Sequence, residues 1–140
     1  MNINFSKKAI RLLPALLIMT AIFAFSARPS DAIPLSLFER ILYKGGHVTG
    51  YAMLAIAYWR AFEFKNKGQW FAWILAVLYA VTDEFHQSFV PGRHPALFDV
   101  VIYDNIGAFF AVWLAGIFIK QKQLDLQNLV VEKETLAVNS

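Results

Sequence analysis

The sequence predicts an all-α membrane protein built as a four-helix bundle, because it is very apolar and its apolar residues fall into four long segments. Hydrophobic residues make up 58% of the chain and aromatic residues 16%, which is more than a small soluble domain can bury. The segments run at about 9–27, 46–62, 70–89 and 98–119. Each is close to the roughly 20 residues that a bilayer core requires. We therefore expect one membrane domain over residues 1–120, followed by a tail over 121–140.

The basic residues of the predicted connections indicate how this bundle is oriented. Eight of them flank the segments on the side of the N-terminus, against four on the opposite side. Because short cytoplasmic loops carry an excess of lysine and arginine, both termini are expected in the cytoplasm. The net charge of +3 is spread over these loops without a basic stripe, so no nucleic-acid partner is expected.

Two parts of the chain allow a second interpretation. The first segment has the basic start and the Ala24-Phe25-Ser26 end of a cleaved secretory signal, although its length favours retention as a span. Residues 35–43 mix apolar and charged side chains. This pattern predicts a short interfacial helix between the first two spans, or else a plain loop. The tail over residues 121–140 is expected to lie in the cytoplasm.

Ionisable residues occur inside the predicted spans at one depth, close to the outer leaflet. Asp83 lies about six residues, or roughly 9 Å of helix rise, below the outer end of the third span. Asp104 lies at a similar depth in the fourth span, and His47 begins the second. A charged residue in a span costs about 2.5–3.5 kcal/mol on insertion, so such residues usually face a bundle interior. The matching depths predict one shared polar site.

Helical spacing places the polar residues of two spans on facing stripes. The stripe of the second span is Lys44, His47 and Tyr51. The stripe of the third span is Asp83, His86 and Gln87, with Glu84 to one side. In the fourth span, Gly107 is expected to let a neighbouring helix approach closely. The turn at Pro91-Gly92 is expected to fold Arg93 back over the mouth of the bundle.

The residue types of this site are compatible with three kinds of chemistry. Asp, Glu and His suit Mg²⁺, Mn²⁺ or Zn²⁺, or can form an acid–base pair, but their spacing matches no known ligand motif, and neither metal nor cofactor is assigned. Lys44, His47 and Arg93 suit an anionic headgroup. Alternatively, the cations pair with the carboxylates and join the helices. Two cations against four carboxylates leave an acidic excess unless His47 and His86 are protonated, and this excess argues against a bare anion site.

Three motifs carry a resemblance to a known family. They are Lys44-x-x-His47-x-x-x-Tyr51, Asp83-Glu84-x-His86-Gln87-x-Phe89-x-Pro91-Gly92-Arg93 and Asp99-x-x-x-x-Asp104-x-x-Gly107. With them, the chain resembles the VanZ-like family of small bacterial membrane proteins over roughly residues 26–119. The family takes its name from a member associated with resistance to teicoplanin, a glycopeptide antibiotic that acts on the cell wall outside the membrane. The resemblance implies a multi-span envelope protein linked to the glycopeptide response, and no settled reaction.

Two functions are expected from these observations. The first is an enzyme that acts on a phospholipid or a lipid-linked cell-wall precursor, with the histidines as acid or base; the second is a non-catalytic protein that binds a lipid, a drug or a partner. A transporter is disfavoured because the ionisable groups stop at one level. Ser26 has no evident base beside it in the sequence and is not expected to be a nucleophile. The candidate catalytic residues are His47, Asp83, Glu84, His86, Asp99 and Asp104, and the candidate ligand-binding residues are Lys44, Tyr51, Gln87, Arg93 and Asn105.

Overall fold

Helices account for most of the chain in the computed structural model, which describes residues 3–29, 36–65, 67–93, 98 and 100–138. The helices are α1 (Ile3–Ser26), α2 (Leu37–Ala61), α3 (Gly68–Gln87) and α4 (Asn105–Val138), and a π-helical segment, Val100–Asp104, leads directly into α4. The all-α class is confirmed for the described residues. Two described stretches, Ala9–Ser26 and Ile102–Ala137, are long and apolar enough to cross a membrane. The number of spans stays a prediction.

The start of α2 differs from the expected short interfacial helix. Residues 37–43 are the first turns of α2 itself, and Gly45 and Gly46 continue the helix without a break. A capping box explains the early start. The Ser36 hydroxyl accepts from the Glu39 amide at 3.3 Å, and the Glu39 carboxylate accepts from the Ser36 amide at 2.8 Å. The Ser36 hydroxyl also donates to the Glu39 carboxylate at 2.7 Å, and this bond, followed by the one from the Ser36 amide, holds the pKa of the exposed Glu39 carboxyl below its usual value. Residue 35 lies outside the described residues.

Small side chains allow α2, α3 and α4 to pack closely. Ala72, Ala76 and Ala80 form a fully buried line along α3, and Ala108 and Val112 are equally buried on α4. Small residues at helix contacts let backbones approach, as is common between helices in membranes. Large apolar side chains lie mostly on the outside of the bundle instead; examples are Leu17, Phe71, Leu78 and Phe118.

Contacts along the helices show that their directions alternate. Met19 and Ile22 of α1 lie beside Tyr58 and Gly50 of α2, so these two helices are antiparallel. Met19 and Ser26 of α1 lie beside Tyr79 and Asp83 of α3, so these two helices run in the same direction. A Cβ atom on Gly107 of α4 would touch Val48 of α2, and one on Gly116 would lie 3.7 Å from Trp59, so α2 and α4 also run in parallel. The close approach expected at Gly107 is confirmed, because that Cβ atom would lie only 3.1 Å from the carbonyl carbon of Val48.

The predicted tail continues the last helix. α4 extends to Val138, well beyond the expected end of the fourth span at residue 119. Residues 120–137 are exposed along this extension. Lys120 and Lys122 mark the change from the apolar first half of α4 to a half that contains charges of both signs. The helix therefore projects from the bundle rather than ending at its edge.

Candidate functional site

Asp83 is the centre of a buried hydrogen-bond cluster formed by three helices. Only 3% of its surface is exposed. Its Oδ2 atom accepts hydrogen bonds from the Ser26 hydroxyl at 2.6 Å, the Gln87 amide at 3.0 Å and the Tyr51 hydroxyl at 3.3 Å. The donors come from α1, α3 and α2. The structure thus brings together Tyr51, Asp83 and Gln87, which the sequence had placed at one depth.

Ser26 is a member of this cluster that the sequence interpretation set aside. The expectation that it has no base beside it is wrong, because its hydroxyl is 2% exposed and donates to the Asp83 carboxylate. The Gln87 amide also donates to the Ser26 oxygen, at 3.3 Å. The signal for this contact was depth, since Ser26 closes α1 at the end of the bundle that holds Asp83. Serine and aspartate are distant along the chain, so local spacing could not reveal it.

His47 and Asp104 form a second pair beside this cluster. The Nδ1 atom of His47 lies 3.5 Å from Oδ1 of Asp104, a carboxylate that is 3% exposed. This separation suits an ion pair with a protonated imidazole better than a short hydrogen bond. The His47 ring also lies between Tyr43 and Tyr51, at centroid distances of 4.7 and 6.1 Å.

The hydrogen-bond cluster of Asp83 and the pair of His47 and Asp104 share one electrostatic environment. The carboxylates of Asp83 and Glu84, as well as that of Asp104, act on His47. Glu84 is 8% exposed and belongs to the same buried face of α3. One imidazole is therefore within electrostatic range of three buried carboxylates, and Asp104 is the one that lies beside it. The convergence of distant charges that the sequence predicts is present among the described residues.

The π-helical segment positions Asp104 and its neighbour Tyr103. The Nζ atom of Lys44 lies 4.2 Å from the centroid of the Tyr103 ring, a cation–π geometry. π-helical turns are rare and occur frequently at functional sites. Here the turn ends at Asp104, the residue that faces His47.

The buried face of α3 differs from the expected one. Asp83, Glu84 and Gln87 are buried, whereas His86 is only partly buried and its ring lies against Phe23 of α1, with centroids 4.4 Å apart. The buried face continues the line of small residues that begins at Ala72, and this line brings Glu84 inward. The two candidate histidines therefore pack against different elements, and their expected joint action as acid and base has no support from these contacts.

Arg93 folds back over the mouth of the bundle as expected, but the N–H groups of its guanidinium donate to acceptors of the protein itself. The guanidinium donates to the carbonyl oxygens of Phe25 at 3.2 Å and Arg28 at 3.1 Å, and to the Tyr43 hydroxyl. These carbonyls belong to the last turn of α1 and the residues after it, where helix carbonyls lack helical partners. Burial raises the pKa of Tyr43, and the positive charge of Arg93 opposes that effect.

Two other candidate residues have different outcomes. Asn105 accepts a hydrogen bond from the Trp73 indole at 2.8 Å, a contact between α4 and α3. Its expected role in ligand binding stays a prediction. Asp99 lies outside the described residues. Within the described part of the chain, no group of three or more His, Cys, Asp or Glu residues could hold a metal ion.

Comparison with known proteins identifies the family of this chain. The family model described as VanZ/LLP1 matches residues 3–119. The chain belongs to the VanZ/LLP1 family. The match includes α1, α2, α3 and the first half of α4, and with the two apolar helices it supports a membrane protein. No curated protein and no solved structure matches the chain.

The contacts of Arg93 lead to a first prediction. Arg93→Lys is expected to lower the free energy of unfolding by about 1–2 kcal/mol, because one ammonium cannot replace a guanidinium that reaches three acceptors. The midpoint of a denaturing-detergent titration of the purified protein measures this change. Arg60→Lys is the matched control, since Arg60 is exposed near the end of α2. If Arg93→Lys kept full stability but lost function, Arg93 would be a ligand-binding residue as the sequence predicts.

Proposed function

We propose that this protein is a multi-pass membrane protein of the bacterial envelope that binds the polar headgroup of a phospholipid or a lipid-linked cell-wall precursor and acts on it. The observation that carries the proposal is the meeting of His47, Asp83 and Asp104, from three elements, inside an otherwise apolar bundle. Buried ionisable groups are expensive in a membrane and are usually functional. Apolar packing would join the helices more cheaply.

The proposed topology has four spans with both termini in the cytoplasm. The alternating directions of α1 to α4 support it, because successive spans of a bundle cross in opposite senses. The polar groups of α2 and α3 face one another and α4, while apolar side chains such as Met53 and Leu78 lie on the outside. With this topology, the polar cluster would lie at the end of the bundle away from the cytoplasmic side, at the depth of the outer leaflet.

Within the cluster, His47 and Asp104 are the proposed acid–base pair. An imidazole exchanges a proton near neutral pH, and a neighbouring carboxylate orients it and stabilises its charged form. A proton held at Nδ1 of His47 would be stabilised by Asp104, 3.5 Å away. The other ring nitrogen would then be the one to exchange a proton with a headgroup oxygen. This chemistry fits hydrolysis or transfer at a phosphate ester of the headgroup.

A non-catalytic binding protein is the second candidate, and one observation favours it. Arg93, the cation best suited to clamp a phosphate, is held by Tyr43 and by main-chain oxygens of the α1 end. In an enzyme that stabilises developing charge on a phosphate, such a group is expected to face the reacting atoms. A protein that binds a headgroup without transforming it has no such requirement.

Native mass spectrometry of the purified full chain tests the proposal. The wild-type protein is expected to retain lipid of one headgroup class, and Asp104→Asn is expected to retain much less of it. Asp125→Asn, on the exposed part of α4, is the matched control and is expected to behave as the wild type. Retention of unselected membrane lipids by all three proteins would contradict headgroup binding.

The same measurement separates the two candidates through His47→Gln. An enzyme that has lost its acid–base group is expected to accumulate its bound substrate, so His47→Gln would hold more of the headgroup lipid than the wild type does. A binding protein is expected to hold the same lipid, in an equal or smaller amount. Complementation of cells that lack the protein, measured as envelope integrity, shows whether His47 is required.

A further inference from the structure

One oxygen of Asp83 has three donors while the other has none. The Oδ2 atom accepts from Ser26, Tyr51 and Gln87, whereas the Oδ1 atom is fully buried and receives no hydrogen bond from the described residues. A buried carboxylate oxygen is nearly always hydrogen-bonded, because the loss of its hydration is otherwise uncompensated. The asymmetry points to a donor at Oδ1 that is not among the described residues.

His86 carries a second orphaned atom on the same helix. Its Nδ1 atom is buried and has no hydrogen-bond partner among the described residues. Asp83 and His86 are three residues apart on α3, which places them one turn apart on neighbouring rows. Both residues also contact α1, since Asp83 binds Ser26 and His86 lies against Phe23. The two residues that carry the orphaned atoms therefore line one seam between α1 and α3.

The charge around this seam determines which donor it suits. The three donors to Asp83 are neutral side chains, and its carboxylate forms no ion pair among the described residues. The nearby cation Arg93 is directed toward Tyr43 and the end of α1. A positively charged donor would balance the Asp83 carboxylate. A metal ion needs several ligands, and the described residues offer no group of three that could hold one. An ammonium group needs only acceptors and provides three N–H donors.

We infer that the seam between α1 and α3 binds a primary ammonium group, which donates to Oδ1 of Asp83 and to Nδ1 of His86. This inference rests on the proposed headgroup binding and specifies the headgroup as an amine. The shared chemistry occurs in an ethanolamine phospholipid and in a small free amine. An ethanolamine headgroup at the outer leaflet would bring its phosphate toward the mouth of the bundle, where Lys44 lies over Tyr103.

A thermal-shift titration of the purified full chain tests this inference with three short-chain phospholipids of equal acyl length. The ethanolamine lipid is expected to stabilise the protein at roughly tenfold lower concentration than the choline lipid, because a quaternary ammonium has no N–H donor. The third lipid has a glycerol headgroup and carries a net negative charge. Titration with phosphoethanolamine distinguishes the two sources, since an equal effect at equal concentration identifies a soluble amine.

Two variants test whether the preference for the ethanolamine lipid depends on the seam between α1 and α3. Asp83→Asn is expected to abolish the difference between ethanolamine and choline lipids, whereas Asp125→Asn is expected to preserve it. Equal binding of the ethanolamine and choline lipids by the wild-type protein would overturn the inference, and this comparison needs no variant to fold. Preference for the glycerol lipid would overturn the inference while leaving headgroup binding intact. If no headgroup changed the stability, both proposals would fail.

Discussion

Gly107→Ala is expected to lower the free energy of unfolding by about 2 kcal/mol or more, although alanine is ordinarily the better helix former by about 1 kcal/mol. The added Cβ atom would overlap the Val48 carbonyl oxygen and lie 3.1 Å from the carbonyl carbon and the Cα atom. These are backbone atoms of α2, so a change of side-chain rotamer cannot relieve the overlap. The helices α2 and α4 would have to separate, and the buried Ala108 and Val112 would lose contacts.

Gly50→Ala is the matched control for this prediction. It makes the same chemical change within α2, but its Cβ atom would meet only the Ile22 side chain, at 3.5 Å. Since that distance is an ordinary van der Waals contact, the gain in helix propensity is expected to stabilise the protein by up to about 1 kcal/mol. Denaturing-detergent midpoints of both variants provide the comparison. Equal effects of the two substitutions would mean that α2 and α4 do not approach closely at Gly107.

The convergence of the polar residues could be predicted from the sequence because segment boundaries determine depth. The ends of the apolar segments placed Asp83, Asp104 and His47 at one level, and the structure brings them together. Gly107 was predictable for a similar reason, since a glycine inside an apolar helix often marks a close contact. Depth depends only on residue counts, so errors of one or two residues at a boundary change it little.

The direction in which each side chain faces was harder to predict. Neighbouring residues are about 100° apart around the helix axis. An error of one residue in the predicted rotation of α3 is therefore enough to move Glu84 from the buried face to its edge. The regular line of Ala72, Ala76 and Ala80 indicates the correct rotation, since small residues mark the packed side. The π-helical turn before α4 adds a shift that periodicity does not reveal, and it aims Asp104 at His47.

The pattern of apolar residues predicts neither the early start of α2 nor the role of Ser26, because both depend on hydrogen bonds between polar groups. The capping box at Ser36 and Glu39 is a local motif that is visible in the sequence. In contrast, the bond between Ser26 and Asp83 joins residues 57 positions apart. The family match includes α1, but it is the packing of α1 against α3 that explains why the last residue of α1 is polar.

Asp83→Ala is expected to lower the free energy of unfolding by about 3 kcal/mol, the other large effect anticipated for this protein. The change removes the acceptor shared by Ser26, Tyr51 and Gln87. A buried donor left without a partner costs about 1–3 kcal/mol, and Ser26 and Gln87 recover part of that loss by pairing with each other. Asp83→Asn keeps one acceptor oxygen of similar shape and is expected to cost about 1 kcal/mol. Unfolding midpoints of the purified variants measure both changes.

A double-mutant cycle with Ser26→Ala isolates the contact at the centre of the site. Hydrogen bonds between membrane helices contribute about 0.6 kcal/mol on average and up to roughly 1.7 kcal/mol, while bonds to charged groups reach about 1.5–3 kcal/mol. The short bond from Ser26 to the Asp83 carboxylate combines both conditions, so a coupling of about 1–2 kcal/mol is expected. The pair Ser88→Ala and Asp125→Ala is expected to show none, because both residues are exposed and Ser88 caps the end of α3 while Asp125 lies on α4. Additive effects of Ser26→Ala and Asp83→Ala would mean that α1 is not joined to the site through this bond.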